Sequence, residues 1–280
     1  MHLTSVHRYP LKSARVEDLT SAVVEPWGLA GDRRWMVVDE AGGFLTARET
    51  RRLLTVLPRL TDIGLSLSAP GAEPLEVVRP DPRHQVPVEL WKSEFTAAEA
   101  PEAARWLSDL LGRPVRLVHL DDPTRRPVTG FARPEDRVNL ADGYPLLVTT
   151  QASLAALNDE IVAGGGAPVP MARFRPSIVV DGDAPWTEDD WRLLRVGEAV
   201  FRAVKGCARC VITTLEPDLD TGEVAGGKEP LRTLARVRRF GTKAWFGVNL
   251  IPDTPGAIIR AGDEVEVLET APSGAGPLGA

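Results

Sequence analysis

Along the first 95 or so residues, apolar positions fall in short runs that turn residues cut apart. Residues 3–9, 22–24, 34–38 and 75–78 read as strands, punctuated by Pro10, Gly28, Gly31, Gly42-Gly43 and Pro70-Gly71, the pattern of a sheet or barrel protein. Residues 101–111 (PEAARWLSDLL) predict a helix with proline early and Gly112 as its stop, and a strand follows at 115–120. From 121 to 137 the chain is polar, proline-rich and aperiodic, which marks a linker or an active-site loop. A second unit opens with a buried-strand pattern at 146–148. It runs into a helix at 151–162, closed by Gly164-Gly165-Gly166. Further strands are expected at 177–180, 199–204, 211–214, 246–251 and 264–268, and the tail, residues 271–280, is expected to be disordered. No internal repeat is visible. The pattern predicts a mainly β fold with α elements (α+β), divided near residue 125.

Composition narrows the function. At 43% hydrophobic and 26% charged residues, the 280-residue chain is in the globular range. A net charge of −6 argues against a general nucleic-acid binder, whose affinity comes from a basic face. No apolar run approaches the roughly 20 residues that span a bilayer, and the start, MHLTSV, lacks the basic and apolar regions of a signal peptide. A soluble cytoplasmic protein with no nucleic-acid or membrane partner is therefore expected. The 33 basic residues comprise 28 Arg and 5 Lys. A genome rich in G and C accounts for most of that bias. A guanidinium also grips phosphate with a rigid fork of donors, so arginine abundance alone decides nothing.

The two cysteines, Cys207 and Cys210, form a C-x-x-C within KGCARCVITT. A structural zinc site needs four ligands, but there is no second cysteine pair and His2, His7, His84 and His119 all fall in the first 120 residues. A ferredoxin-type cluster needs four cysteines. A thioredoxin-like motif opens a helix, whereas the β-branched run Val211-Ile212-Thr213-Thr214 is expected to extend as a strand. Two readings stay open: a lone thiolate ligand to a soft metal, and a pair of inert buried thiols, which the residues alone favour. A calcium loop at Asp218-x-Asp220-x-Gly222 fails because Glu223 stands where glycine is required.

A wider set of motifs changes the weighting. Cys210 with Thr213-Thr214, Glu216-Pro217, Thr221-Gly222 and Lys228-Glu229-Pro230-Leu231 resembles the signature of the MOSC domain, named for the C-terminal domain of molybdenum-cofactor sulfurases. Tyr9-Pro10-Leu11-Lys12-Ser13, Gly31-Asp32-Arg33-Arg34-Trp35 and Leu45-Thr46-Ala47-Arg48 resemble the β-barrel domain that precedes it, and Phe174-Arg175-Pro176 and Phe246-Gly247 extend the match. The chain is similar to the mitochondrial amidoxime-reducing component and its bacterial relatives. It departs from them in a signature loop lengthened by two residues, in Glu216 where Asp is usual, and in ending without the ferredoxin domain some bacterial relatives carry.

The resemblance implies an N-terminal β-barrel-like domain over residues 1–120, a β-barrel-like MOSC domain over 121–270 and a disordered tail over 271–280. It implies a molybdenum–molybdopterin cofactor with Cys210 as catalytic residue and metal ligand. Lys12, Ser13, Arg33, Thr150, Arg175, Ser177, Cys207, Arg209 and Asn249 are implied as cofactor-binding, with Lys12, Ser13 and Arg33 facing Cys210 across one cleft. Read without the family, Lys12 is a surface lysine, Arg33 a turn charge, and Thr150 a helix N-cap whose neighbouring N–H groups suit an anion. Arg175, entering an apolar strand, needs a partner. Arg209 is expected to contribute backbone rather than side chain. The implied activity is reduction of N-hydroxylated compounds (amidoximes, hydroxylamines, N-oxides) with electrons from a separate ferredoxin, flavoprotein or cytochrome b5-like protein. The alternative is a carrier or sulfuration module without substrate turnover. Pyridoxal phosphate on one of the 5 Lys is a third reading, weakened because no lysine has an evident buried Schiff-base setting.

Overall fold

Strands carry most of the chain: the computed structural model, which describes all residues except Ser273 and Ala275, is mainly β with three α-helices (α+β) among the described residues. The largest sheet runs in the order Glu17–Leu19, Leu3–Arg8, Ile178–Val180, Leu146–Thr150, Lys243–Pro252, Ala199–Ala208, Trp191–Val196, Val265–Thr270. Its central strands Leu146–Thr150 and Ile178–Val180 are buried at every residue, as strands covered on both faces must be. These two pair in parallel because helix α2, Gln151–Ala163, lies between them in the chain; the other pairings in the sheet are antiparallel.

The N-terminal strand belongs to this sheet. Leu3 pairs with Val180 and Val6 with Ile178, and both enter a core with Leu146, Phe201, Val248 and Leu250. A few residues later Leu11, Ala14 and Trp35 belong to a different core, which α1 (Glu102–Leu111) covers with Ala103, Leu107 and Leu110. Helix α1 ends at Gly112 with φ 69°, a left-handed cap that glycine adopts without a Cβ clash. Residues 9–14 are thus the place where the chain passes from one core to the other, and the candidate site forms there.

Three differences from the sequence reading matter. Val211–Thr214 is a 3₁₀ turn, not a strand: Thr213 Oγ1 donates to the Cys210 carbonyl (2.9 Å) and Thr214 Oγ1 to that of Val211 (2.8 Å). Threonine hydroxyls that bond back three residues stabilise a turn against the strand preference of their β-branched carbons. A helical turn therefore does follow the C-x-x-C, although it is only four residues long. Helix α3, Leu231–Val237, had no anticipated counterpart. In the tail, Pro277 is buried and the Leu278 carbonyl accepts from Gly206 N–H at 2.8 Å; Ser273 and Ala275 lie outside the described residues. Among the described residues no helix is long and apolar enough to cross a membrane.

Candidate active site

Asp32 organises the passage between the cores. Its carboxylate is fully buried and accepts from Tyr9 N–H (2.8 Å), Arg33 Nη1 (2.5 Å) and Asn139 Nδ2 (3.1 Å). Tyr9, also buried, donates its hydroxyl to the Pro176 carbonyl, and burial pushes that hydroxyl up to about 12. The Tyr9 ring has the Arg33 guanidinium at 4.6 Å and the Arg175 guanidinium at 4.3 Å, so one aromatic ring stations two cations. Arg175 further donates to the Ala14 carbonyl, and burial pushes it down to about 10. Ser13, Arg33 and Arg175 have φ of 67°, 45° and 55°, left-handed values that non-glycine residues adopt only where the surroundings hold them. Three such residues around one cleft mark a site whose geometry is imposed by the rest of the fold.

Lys12 is buried rather than superficial. Its ammonium donates to the Leu140 carbonyl and to Asp142, which also accepts from Arg48 Nη2 at 2.9 Å. Burial lowers the Lys12 pKa while Asp142 opposes that shift. Burial would raise the Asp142 carboxyl, but Lys12 and Arg48 hold it well below the usual carboxylate range. The lysine anticipated as exposed is thus a buried one, tied to a carboxylate that partly offsets the effect of burial.

On the opposite wall, the Ala199–Ala208 strand reaches the cleft through two register shifts against Lys243–Pro252, between Ala203 and Lys205 and between Gly206 and Ala208. Such irregularities bend the strand, and Lys205 and Cys207 both line the cleft. Gly247, on the partner strand, has φ 77° and a Cβ there would lie 2.7 Å from the Val148 carbonyl oxygen, so glycine is required. Asn249 Nδ2 donates to the Lys205 and Gly206 carbonyls at 3.0 and 3.3 Å, fixing the bulged segment. Cys207 Sγ accepts from Arg209 Nη1 at 2.8 Å, and Arg209 Nη2 donates to the Phe174 carbonyl at 2.7 Å. Arg209 therefore acts through its side chain, not through backbone alone. Neither cysteine is fully buried: both are half-buried and both line the cleft. Cys210 precedes the 3₁₀ turn, with the Arg48 guanidinium on the same cleft wall.

These segments enclose a cleft of about 380 Å³. Its cations are Lys12, Arg33, Arg48, Arg175, Lys205, Arg209 and Lys243, and Asp142 is its one carboxylate among the described lining residues. A strongly positive site in a chain of net charge −6 is built for an anion. A second cavity of about 560 Å³ adjoins it at Cys210. Leu231, Ala235 and Ala244 give it apolar wall, and Arg239, Thr242 and Lys243 a polar one. Cys210 lines both.

Comparison with known proteins agrees with this arrangement. The model of the MOSC N-terminal beta barrel domain matches residues 1–114, and that of the MOSC domain matches residues 135–266. The chain is 32% identical to human mitochondrial amidoxime-reducing component 1 over 93% of its own length and 81% of the relative's. The chain belongs to the MOSC family. It is 33% identical to rat mitochondrial amidoxime reducing component 2, over 94% of this chain and 82% of that one. It is also 31% identical to a molybdenum cofactor sulfurase of Oryza sativa subsp. japonica, over 89% of this chain but only 32% of the sulfurase, so it spans about a third of that relative.

Of the residues that the MOSC signatures suggest, Lys12, Ser13, Arg33, Arg175, Cys207, Arg209, Cys210 and Asn249 line the one cleft; Thr150 and Ser177 do not. Ser177 is fully buried and exchanges backbone and side-chain contacts with Leu147. Thr150 caps α2, accepting from Ser153 N–H at 3.1 Å. Sequence reading missed Arg48, Asp142, Lys205 and Lys243. Arg48 closes the Leu45-Thr46-Ala47-Arg48 motif, which was the available signal; nothing local distinguished the others.

Thr150 points instead at Glu188, a 1% exposed carboxyl whose Oε2 accepts from Thr150 Oγ1 (3.2 Å) and Ser153 Oγ (2.7 Å) while Oε1 has no partner. Burial, aided by nearby Asp189, raises its pKa to about 7 from 4.5. A raised carboxyl binds its proton more tightly in the folded chain. Stability from this group is therefore complete below pH 4.5, falls as pH rises to about 7, and is constant above that, with about 3 kcal/mol at stake. Glu188→Gln is expected to melt higher than wild type at pH 8, with the difference shrinking toward pH 5. Thermal melts at the two pH values check this, and a pH-independent difference would refute it.

Proposed function

We propose that the chain binds a molybdopterin-type molybdenum cofactor in the cationic cleft and reduces N-hydroxylated compounds, such as amidoximes, to the parent amidine or amine. The observation that carries this reading is the meeting of two accessible thiols with seven cations in one cleft. Thiolate suits a soft metal site, and guanidinium forks suit a phosphate. The donor set fits further because Arg48 Nη1 and Arg209 Nε are buried without a protein partner, leaving capacity for an anionic ligand. When bound, the cofactor supplies the two-electron chemistry that removes the substrate's oxygen.

The residues of the chain have distinct tasks in this scheme. Cys210 is the metal ligand, with Arg48 on the same cleft wall. Arg33 and Arg175, stationed by Tyr9, hold the anionic part of the cofactor, with Ser13 and Lys12 beside them. Cys207 lines the cleft as a neighbour, its sulfur held by Arg209. Substrate enters from the second cavity, where the wall formed by Leu231, Ala235 and Ala244 accepts an apolar body. Electrons come from a separate redox protein, because two cysteines are too few for a ferredoxin-type four-cysteine cluster.

The test is to make the chain in a host that synthesises the cofactor and to measure molybdenum beside benzamidoxime reduction by reduced viologen. Stoichiometric metal and turnover are expected, with no turnover on NADH alone. Arg33→Gln combined with Arg175→Gln should lose most of the metal. A purified chain without molybdenum would refute the reading. The likeness to part of a molybdenum cofactor sulfurase favours a second one, a cofactor carrier, which bound metal without turnover would support.

A further inference from the structure

A cavity of about 560 Å³ lies in the N-terminal half and shares no lining residue with the cysteine cleft. Its inner wall is His119, 6% exposed, which ends the Arg116–His119 strand and packs on Trp35 with ring centroids 4.6 Å apart. The Nδ1 of His119 is buried and has no hydrogen-bond partner. Arg34 is fixed at the same wall. Its Nε donates to the Leu120 carbonyl at 2.8 Å and its Nη2 to that of Asp121 at 3.0 Å, while its Nη1 stands 4.0 Å from Glu25. Arg79 lines the opening, and its guanidinium has no hydrogen bond or ion pair among the described residues.

The other charged groups here are already engaged. Arg8 is held by Glu17 (2.8 and 2.9 Å) and the Ala30 carbonyl. Asp121 accepts from Arg125 at 2.7 and 3.1 Å and from Gln85, and Glu25 accepts from Trp27 Nε1 at 2.6 Å. Glu25 faces Arg34, so the positive charge left without an ion-pair partner is that of Arg79, beside an imidazole that cannot share it. Burial first, then Arg34 and Arg79, push His119 down to about 3, so the ring is neutral. A phosphate would compensate Arg79, accept from Arg34 and let the imidazole act as a donor; a carboxylate offers fewer acceptor oxygens and less charge. The volume exceeds what an inorganic ion fills and lies in the range of small-molecule sites, and Trp35, Leu60 and Pro80 provide apolar wall.

We propose that this cavity is a second ligand site that binds a phosphomonoester, the phosphate held by Arg34, Arg79 and His119 and the organic part lying against Trp35, Leu60 and Pro80. The site is independent of the cofactor reading. Its test follows the His119 imidazole by NMR in the full chain at pH 7.5, with His2, His7 and His84 as internal references, during titration with inorganic phosphate, phenyl phosphate and benzoate. The His119 signals should shift saturably, with phenyl phosphate binding more tightly than either phosphate or benzoate. Arg79→Gln should weaken the response at least tenfold. Arg113→Gln, which removes an equal exposed charge outside the cavity, should leave it unchanged. Because Arg79 has no partner to lose, the three reference histidines should keep their positions in that variant. No saturable shift at His119, an undiminished shift in Arg79→Gln, or benzoate binding as tightly as phenyl phosphate would each overturn the proposal.

Discussion

Cys210→Ser is expected to abolish benzamidoxime reduction, at least a thousandfold (about 4 kcal/mol), while Cys207→Ser stays within roughly tenfold, about 1.4 kcal/mol. The two sulfurs are three residues apart and both half-buried, so exposure does not separate them. Their surroundings do. Cys210 stands where the cationic cleft meets the second cavity, beside Arg48, and a serine there offers a harder oxygen with a far higher pKa. Cys207 accepts a hydrogen bond from Arg209 Nη1, which a serine hydroxyl also accepts. Metal content must be measured beside activity, and the metal's absorption spectrum should change in Cys210→Ser alone. Full metal loading with activity lost in Cys207→Ser and kept in Cys210→Ser would assign the ligand to the other sulfur.

Local signals carried further than long-range ones. Pro101 and Gly112 bracket α1 and Thr150 caps α2 because capping depends on a few adjacent residues. The 3₁₀ turn after Cys210 was misread because β-branching is visible in the letters and hydroxyl back-bonding is not. Pairing of Leu3 with Val180 spans well over half of the chain, and no residue near Leu3 announces it. The same distance hid the site's charge balance. Lys12 reads as a surface lysine until Asp142, 130 residues away, is brought to it, and Arg48 gains its place only from that shared carboxylate. Left-handed backbone at Ser13, Arg33 and Arg175 was illegible for a related reason, since glycine is the usual mark of that conformation and none stands there.

Asp32→Asn is expected to cost about 3–5 kcal/mol of unfolding free energy, although it alters no cleft-lining side chain. The substitution keeps the volume and removes the charge. An amide nitrogen or oxygen must then face Arg33 Nη1 and Asn139 Nδ2, which both donate to the same carboxylate oxygen, and the neighbouring guanidinium loses its compensation in a site where Arg33 is 13% exposed and Asp32 not at all. Tyr9 N–H bonds the other oxygen, so the loss reaches the ring that stations Arg33 and Arg175. Molybdenum retention should therefore fall together with stability. Arg33→Lys separates the two effects: a cation stays beside buried Asp32 while the guanidinium fork is lost, so this variant should lose cofactor with a smaller stability cost, about 1–2 kcal/mol. Urea unfolding of both variants beside metal analysis is the measurement. An Asp32→Asn variant that unfolds within about 1 kcal/mol of wild type would show that the cores are joined without this carboxylate, and that the geometry of the cationic cleft rests on other contacts.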